Sequence, residues 1–229
     1  MKIGLQFAMV SELHALPGAQ DLEPFETISG IPFFQVAPDI IACAGGISKV
    51  NAAMAAEIFC LRYGVDMIIN SGVAGCATDL PTNALVIASE FIQHDVDTTA
   101  IGDEPGLISG INKVYFEADA DAVNAICEIA ASLGIKTHCG TIASGDRFVA
   151  SAAEKERITS LFGAVCCEME GGSVGHVCYV NGVPFAVIRA ISDDADGGAC
   201  EDYPAFAAAS AKKSAAIVIN LAERLAKKA

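Results

Sequence analysis

The sequence predicts an α/β fold, a single domain over residues 1–229 in which a central mixed, mostly parallel β-sheet is flanked by helices. Three observations predict it. Its short apolar runs are mostly continuous rather than alternating, as in strands covered on both faces. Stretches with helical spacing lie between those runs, most closed by a recognisable stop signal. Hydrophobic residues make up 53% of the 229 residues against 18% charged, a balance that needs burial on both faces of a sheet and excludes disorder for the bulk of the chain.

In order along the chain, Lys2 to Met9 reads as the first strand, and Ile31 to Val36 and Ile40 to Ala44 as two more around a hairpin turn at Pro38-Asp39. Val50 to Tyr63 reads as a helix stopped by Gly64. Asp66 to Asn70 is a strand that runs straight into glycines, and Ala84 to Phe91 is another. Asp95 to Val114 lacks periodicity and carries several glycines and a proline; a loop of that length is expected to be a lid or a dimer element. Asp119 to Leu133 places Ala122, Val123, Ile126, Ile129, Ala130 and Leu133 on one helical face before Gly134. Thr137 to Ala143 is a strand. Ser151 with Glu154 forms a capping-box pattern that opens a helix to Phe162. Ala164 to Cys167 and Pro184 to Ile191 are the last strands, and Pro204 to Lys228 is an Ala-rich covering helix closed by Lys227-Lys228. Neither an internal repeat nor a Ser/Pro-rich linker divides the chain.

Fourteen Lys and Arg face 28 Asp and Glu, a formal charge of −14 that repels a nucleic-acid backbone and an anionic membrane alike. Neither is an expected partner. No apolar run reaches the ~18 residues of a spanning helix, and the first residues enter a strand with no cleavage-site pattern, so the chain reads as cytoplasmic. The nine Cys are odd in number and form no C-x-x-C, and the four His show no ligand spacing. Reduced, mostly buried thiols are expected, with Cys166-Cys167 as strand packing and no metal or cofactor.

Open α/β sheets place ligands beyond the carboxyl ends of their strands, and four such ends carry polar or small residues. These are Met9-Val10-Ser11-Glu12, Ser71-Gly72-Val73-Ala74-Gly75, Glu168-Met169-Glu170-Gly171-Gly172 and Ser192-Asp193-Asp194. Singly, each has an ordinary reading. The glycine-rich segment is either a tight turn or a loop whose N–H groups approach a ligand, and it is neither G-x-G-x-x-G nor a Walker A sequence. Glu168 and Glu170 are either a solvated strand end or paired carboxylates, pointing one way by strand alternation with Met169 on the other side. Ser192-Asp193 is a cap or a functional pair, and Phe148 is core or a stacking platform.

Together they resemble the nucleoside phosphorylase/nucleosidase superfamily, and within it the 5'-methylthioadenosine/S-adenosylhomocysteine nucleosidases. The resemblance runs over nearly the whole chain. It is carried by Lys2-Ile3-Gly4 with Ala8-Met9 and Glu12, Gly46 to Ala53 (GISKVNAA), Ile69 to Gly75 (INSGVAG), His94 to Asp97 (HDVD), Ser144 to Phe148 (SGDRF), Glu168-Met169-Glu170 and Val187 to Asp193 (VIRAISD). It implies hydrolysis of an N-glycosidic bond to adenine through an oxocarbenium-like ribosyl cation. Asp193 would protonate adenine N7 with Ser192 orienting it, and Glu12 would hold and deprotonate the water. Glu170 would accept hydrogen bonds from the ribose hydroxyls over a floor supplied by Met169. Phe148 would stack on adenine and the Val149 backbone would read its edge. Ile47, Val73, Ala74 and Gly75 would complete the walls, and Met9, Tyr203 and Phe206 would surround the 5' group.

Three positions depart from the family pattern. Val73 replaces a hydroxyl residue, Gly171-Gly172 stands in place of Ala-rich sequence, and Phe7 replaces a small residue. Phosphorolysis is the nearest rival reaction, yet only five Arg are present, none of them in the glycine-rich segment, and Glu12 would repel phosphate. The same residues would also suit a nucleosidase for a larger, futalosine-type 5' group, or a nucleoside-binding protein that has lost the chemistry. The resemblance also implies a homodimer in which Ala100 to Ile111 covers the neighbour's 5' pocket.

Overall fold

The computed structural model describes residues 1–82, 84–193 and 203–227, the side chains of Asp193 and of residues 203–210 excepted. The site assignments to the Asp193, Tyr203 and Phe206 side chains therefore lie outside the described residues. Strands β1 (Ile3–Phe7), β2 (Glu26–Ile28), β3 (Ile31–Ala37), β4 (Ile40–Ala44), β5 (Met67–Cys76), β6 (Leu85–Gln93), β7 (Phe116–Glu117), β8 (Thr137–Ser144), β9 (Ala164–Glu168) and β10 (Phe185–Asp193) form one sheet in the order β10-β6-β8-β9-β5-β1-β4-β3-β2, with β7 on β6. Because β10 also pairs with β5, the strands β5, β9, β8, β6 and β10 close into a ring. The ladders are mixed, and the two longest, β5–β10 and β6–β8, are parallel.

The continuous apolar runs follow from burial on both faces. Ile69, Ile87 and Ile188 face a layer made by α1 (Val10–Leu13), α3 (Ala120–Ser132) and α6 (Tyr203–Ala226), where Leu13, Ile126 and Leu221 meet them. Their neighbours Ile68, Val86 and Val187 point to the opposite layer, made by α2 (Lys49–Ile58) and α5 (Gly171–Asn181), against Ala55, Val174 and Cys178. A smaller cluster under α4 (Ala152–Phe162) joins Ile158 and Phe162 to Val149 and Cys167.

Helix ends obey local chemistry. The Ser151 hydroxyl accepts from Glu154 N–H at 3.3 Å to start α4 and the Asp119 carboxylate accepts from Ala122 N–H at 2.8 Å to start α3. α2 continues through a π turn at Phe59–Tyr63 and stops at Gly64, which adopts φ +57.

Three expectations need correction. Ser71 to Gly75 is not a turn: β5 runs through it, paired with β10 from Ser71↔Ile188 to Gly75↔Asp193 and with β9 at Gly75↔Cys167. Closing the ring supplies hydrogen-bond partners on both sides, which outweighs the weak strand propensity of glycine. The glycine-opened stretch after Glu170 is helix α5, which sequence periodicity does not predict. A Cβ on Gly172 would lie 2.9 Å from the Ile92 carbonyl, and one on Gly175 would lie 2.7 Å from the Phe185 ring, so close packing demands the glycines that lower helix propensity. Finally, the 95–114 segment carries local order, with a 3-10 turn at Thr99–Ile101 and an antiparallel bridge between Ile108 and Lys113. Among the described residues no helix is long and apolar enough to cross a membrane, and no group of three or more His, Cys, Asp or Glu is placed to hold a metal.

Candidate active site

At the carboxyl ends of the ring strands lies a cavity of about 230 Å³. It is lined by Met9, Glu12, Ile47, Val73, Ala74, Gly75, Phe148, Val149, Met169, Glu170 and Ser192, together with Ala8, Arg147, Cys167 and Glu168. Thus every sequence-selected side chain within the described residues meets in one place. The Asp193 backbone ends β10 next to Ser192 and in register with Gly75, two of the lining residues.

Glu12 sits at the start of α1, where its Oε2 accepts from the backbone N–H groups of Ala8 (3.1 Å) and Met9 (3.0 Å). Burial pushes its carboxyl above the ordinary range, and those amides and the Arg189 charge offset part of the rise. Its other oxygen faces Gly72: a Cβ built there would lie 3.0 Å from Glu12 Oε1 and 3.1 Å from Arg189 Nη1. Gly72 therefore lets both groups pack directly on the β5 backbone, where any larger residue would crowd them.

In the sequence Arg189 is one residue of a strand motif and one of few cations; the structure makes it the electrostatic centre of the site. It is 1% exposed in the middle of β10. Its Nε donates to Glu168 Oε2 at 3.0 Å, Nη2 donates to the same oxygen and to Asn70 Oδ1 at 2.6 Å, and Glu170 Oε2 lies 3.7 Å from Nη2. Nη1 has no hydrogen-bond partner among the described residues. A sequence signal for this role exists: a charge inside an apolar strand must be paired.

Glu168 is held on every side. The Ser144 hydroxyl donates to Oε1, and the N–H groups of Glu170 (3.1 Å) and Gly171 (2.8 Å) donate to Oε2. Burial alone would raise its pKa, but the Arg189 charge and these donors outweigh it and hold the carboxyl below its ordinary value. Glu170 has the opposite balance. Burial, followed by the Glu168 charge, pushes it up to about 7 against the pull of Arg189 and of the Ser48 N–H, which donates to Oε1 at 3.0 Å. The expected alternation fails here because β9 ends at Glu168 and Glu170 opens α5; Met169 lines the cavity alongside both carboxylates. Cys167 likewise lines the cavity rather than serving only as strand packing.

Phe148 and Ile47 stand at the rim, about half exposed, and Val149 is buried beneath. Ser192 is buried, its hydroxyl 3.4 Å from the Ala74 carbonyl. Val73 contributes a wall without a hydroxyl, and Phe7, 2% exposed, fills the core behind β1.

Comparison with known proteins shows the family. The family model described as the phosphorylase superfamily matches residues 2–223. A 5'-methylthioadenosine/S-adenosylhomocysteine nucleosidase of Shewanella halifaxensis is 37% identical over 98% of this chain and 100% of its own length. An aminodeoxyfutalosine nucleosidase of Campylobacter jejuni is 34% identical over 98% of this chain and 100% of its own. A crystal structure of 5'-methylthioadenosine/S-adenosylhomocysteine nucleosidase from Helicobacter pylori with butyl-thio-DADMe-Immucillin-A superposes with a TM-score of 0.92 at 34% identity, covering 98% of each chain. The chain belongs to the phosphorylase superfamily, among the nucleosidases that these relatives represent.

Proposed function

We propose that the protein is an N-glycosyl hydrolase that releases adenine from 5'-methylthioadenosine and S-adenosylhomocysteine, leaving the 5-thio-ribose. The observation that carries the reading is the meeting of Glu12, Glu168 and Glu170 on the wall of one cavity at the strand ends, with the buried Arg189 paired to the last two. Breaking the bond builds positive charge on the ribosyl ring, and a cavity with more carboxylates than cations stabilises it. Glu12, buried on the cavity wall with its carboxyl raised by burial, suits a water that donates to it. As C1' loses the base, that water adds to it and Glu12 takes the proton. Glu170 accepts from the ribose 2'- and 3'-hydroxyls, while Phe148 and the Val149 backbone hold the base. Asp193, oriented by Ser192, gives its proton to adenine N7 and so makes the leaving group neutral. The reaction needs water and no cofactor.

Phosphate as nucleophile fits this cavity poorly. Arg189 is already matched by Glu168 and Glu170, and Arg147, at the rim, pairs with Glu154 at 3.4 Å. The 5' surround is apolar at Met9 and Ile47, to which Tyr203, Phe206 and the partner's Ala100 to Ile111 segment would add in a homodimer. Ile101, 80% exposed, gives that segment an apolar tip, and sedimentation showing a fully active monomer would contradict the dimer. Among the described residues the thiols are free and mostly buried, which suits a reducing cytoplasm.

A panel assayed for free base, with and without phosphate, tests the reading. A thiomethyl group gains ~1–3 kcal/mol from apolar burial where a 5'-hydroxyl loses its hydration, so kcat/KM for 5'-methylthioadenosine should exceed that for adenosine by about 10-fold or more. Preference for adenosine would refute the apolar-pocket reading, and preference for aminodeoxyfutalosine would move the chain to the activity of its Campylobacter relative.

A further inference from the structure

Three of the motifs that mark the family contribute residues with no place in the cavity wall: Lys49, Asp95 and Asp146. The structure brings them together. Asp95 follows the carboxyl end of β6, Lys49 opens α2, and Asp146 follows β8. Asp95 Oδ1 accepts from Lys49 Nζ at 2.6 Å, Asp95 Oδ2 accepts from the Asp146 N–H at 2.9 Å, and Asp146 Oδ1 accepts from the Lys49 backbone N–H at 2.7 Å. These three hydrogen bonds close a ring that joins two strand ends to the start of a helix.

Each of the segments joined carries part of the site. Immediately before Lys49 are Ile47, at the cavity rim, and Ser48, whose N–H holds Glu170. Ser48 has φ +90, a conformation that a residue with a side chain keeps only when its surroundings hold it. Immediately after Asp146 are Arg147, Phe148 and Val149, three lining residues. The root of this second segment is pinned as well: a Cβ on Gly145 would collide with His94 Nε2, so the residue before Asp95 packs against the residue before Asp146. A lone Lys–Asp pair near the surface contributes little to folding, so support for the sheet is a weak reason for this ring. Holding two connecting segments in their binding geometry is a stronger one, because each segment otherwise loses its freedom at the expense of affinity.

We propose that Asp95 is a positioning residue for the reaction, its carboxylate clasping the 46–49 turn to the 145–149 segment so that the Ser48 N–H and Phe148 are in place before the nucleoside arrives. The proposal rests on the nucleosidase reading of the cavity.

The test compares wild type with Asp95→Ala and Asp95→Asn, and with Lys49→Met, which opens the ring from the other side if the alanine variant does not fold. For 5'-methylthioadenosine, Asp95→Ala should raise KM at least tenfold while kcat changes less than threefold. Asp95→Asn, which keeps an oxygen for the Asp146 N–H, should recover part of the loss. In the same variants, amide hydrogen exchange in segments 46–49 and 145–149 should speed up at least tenfold with β5 and β10 unchanged. Unaltered KM and exchange, or faster exchange throughout the sheet with lower kcat at constant KM, would overturn the proposal. If wild type releases no adenine, the nucleosidase reading falls, and the exchange rates alone then decide whether Asp95 orders the two segments.

Discussion

Replacing Glu170 with Gln should make the protein more stable and nearly inactive at the same time. Its carboxyl is raised from an ordinary 4.5 to about 7 by burial and by Glu168. At about 1.4 kcal/mol for each pH unit, holding it ionised in the fold costs about 3 kcal/mol at any pH above 7. A folded-state pKa above the unfolded one favours the fold below pH 4.5, and this advantage disappears as pH rises through 7. Gln resembles the protonated acid and escapes the loss. Glu170→Gln should therefore unfold about 3 kcal/mol less readily than wild type at pH 8.5, a Tm gain of about 6–12 °C for a chain of this size, and equally at pH 4.5. Activity should fall by about 10²–10⁴ in kcat/KM, because an amide gives up two charge-assisted bonds of ~1.5–3 kcal/mol each to the ribose hydroxyls. Wild-type kcat/KM should likewise decline as pH drops below about 7. Chemical denaturation at the two pH values decides it: equal stability at both, or a variant less stable at pH 8.5, would refute the account of Glu170 as a strained, ionised ribose acceptor.

Other substitutions probe the same charge cluster and its edge. Arg189→Met leaves Glu168 and Glu170 without their cation and should cost about 3–5 kcal/mol in a denaturation experiment, with Glu168→Gln added on top returning part of it; an unchanged midpoint would show that the cluster needs no charge balance. Glu12→Gln should still bind the nucleoside in calorimetry yet turn over about 10²–10⁴ times more slowly, whereas joint loss of binding and folding would make Glu12 structural. His94 is buried, and burial holds its imidazole below the ordinary 6.5 despite Asp95 and Glu154, with Arg157 and Lys49 acting in the same direction as burial. The His94 contribution to stability should therefore be lost as pH falls through and below 6.5, against the opposite trend from Glu170, so His94→Gln should gain stability relative to wild type as pH falls below 6.5; identical pH profiles for the two proteins would contradict it.

The double-sided strands are legible because Ile68-Ile69, Val86-Ile87 and Val187-Ile188 send adjacent apolar residues to opposite layers, a pattern few other elements produce. What the residues conceal is the carboxyl ends. β8 and β9 continue to Ser144 and Glu168, and β5 continues through glycines to Cys76, with no apolar signal, because ladder partners from the closed ring hold them. Helix α5 is hidden for a related reason: its glycines answer to Ile92 and Phe185 rather than to helix propensity. In the site, the meeting of Glu12, Met169 and Glu170 is legible through the family motifs that carry them. The roles of Arg189 and Glu168 are not, because their importance lies in pairing with each other across 21 positions of sequence.

The most direct test of the central claim is the fate of water oxygen. Turnover of 5'-methylthioadenosine in ¹⁸O-labelled water, without and then with added phosphate, should place one ¹⁸O on C1 of the released methylthioribose within a single turnover, at a rate that phosphate does not change. A phosphate ester at C1, a rate that requires phosphate, or labelled oxygen missing from the first-turnover sugar would contradict hydrolysis at this cavity.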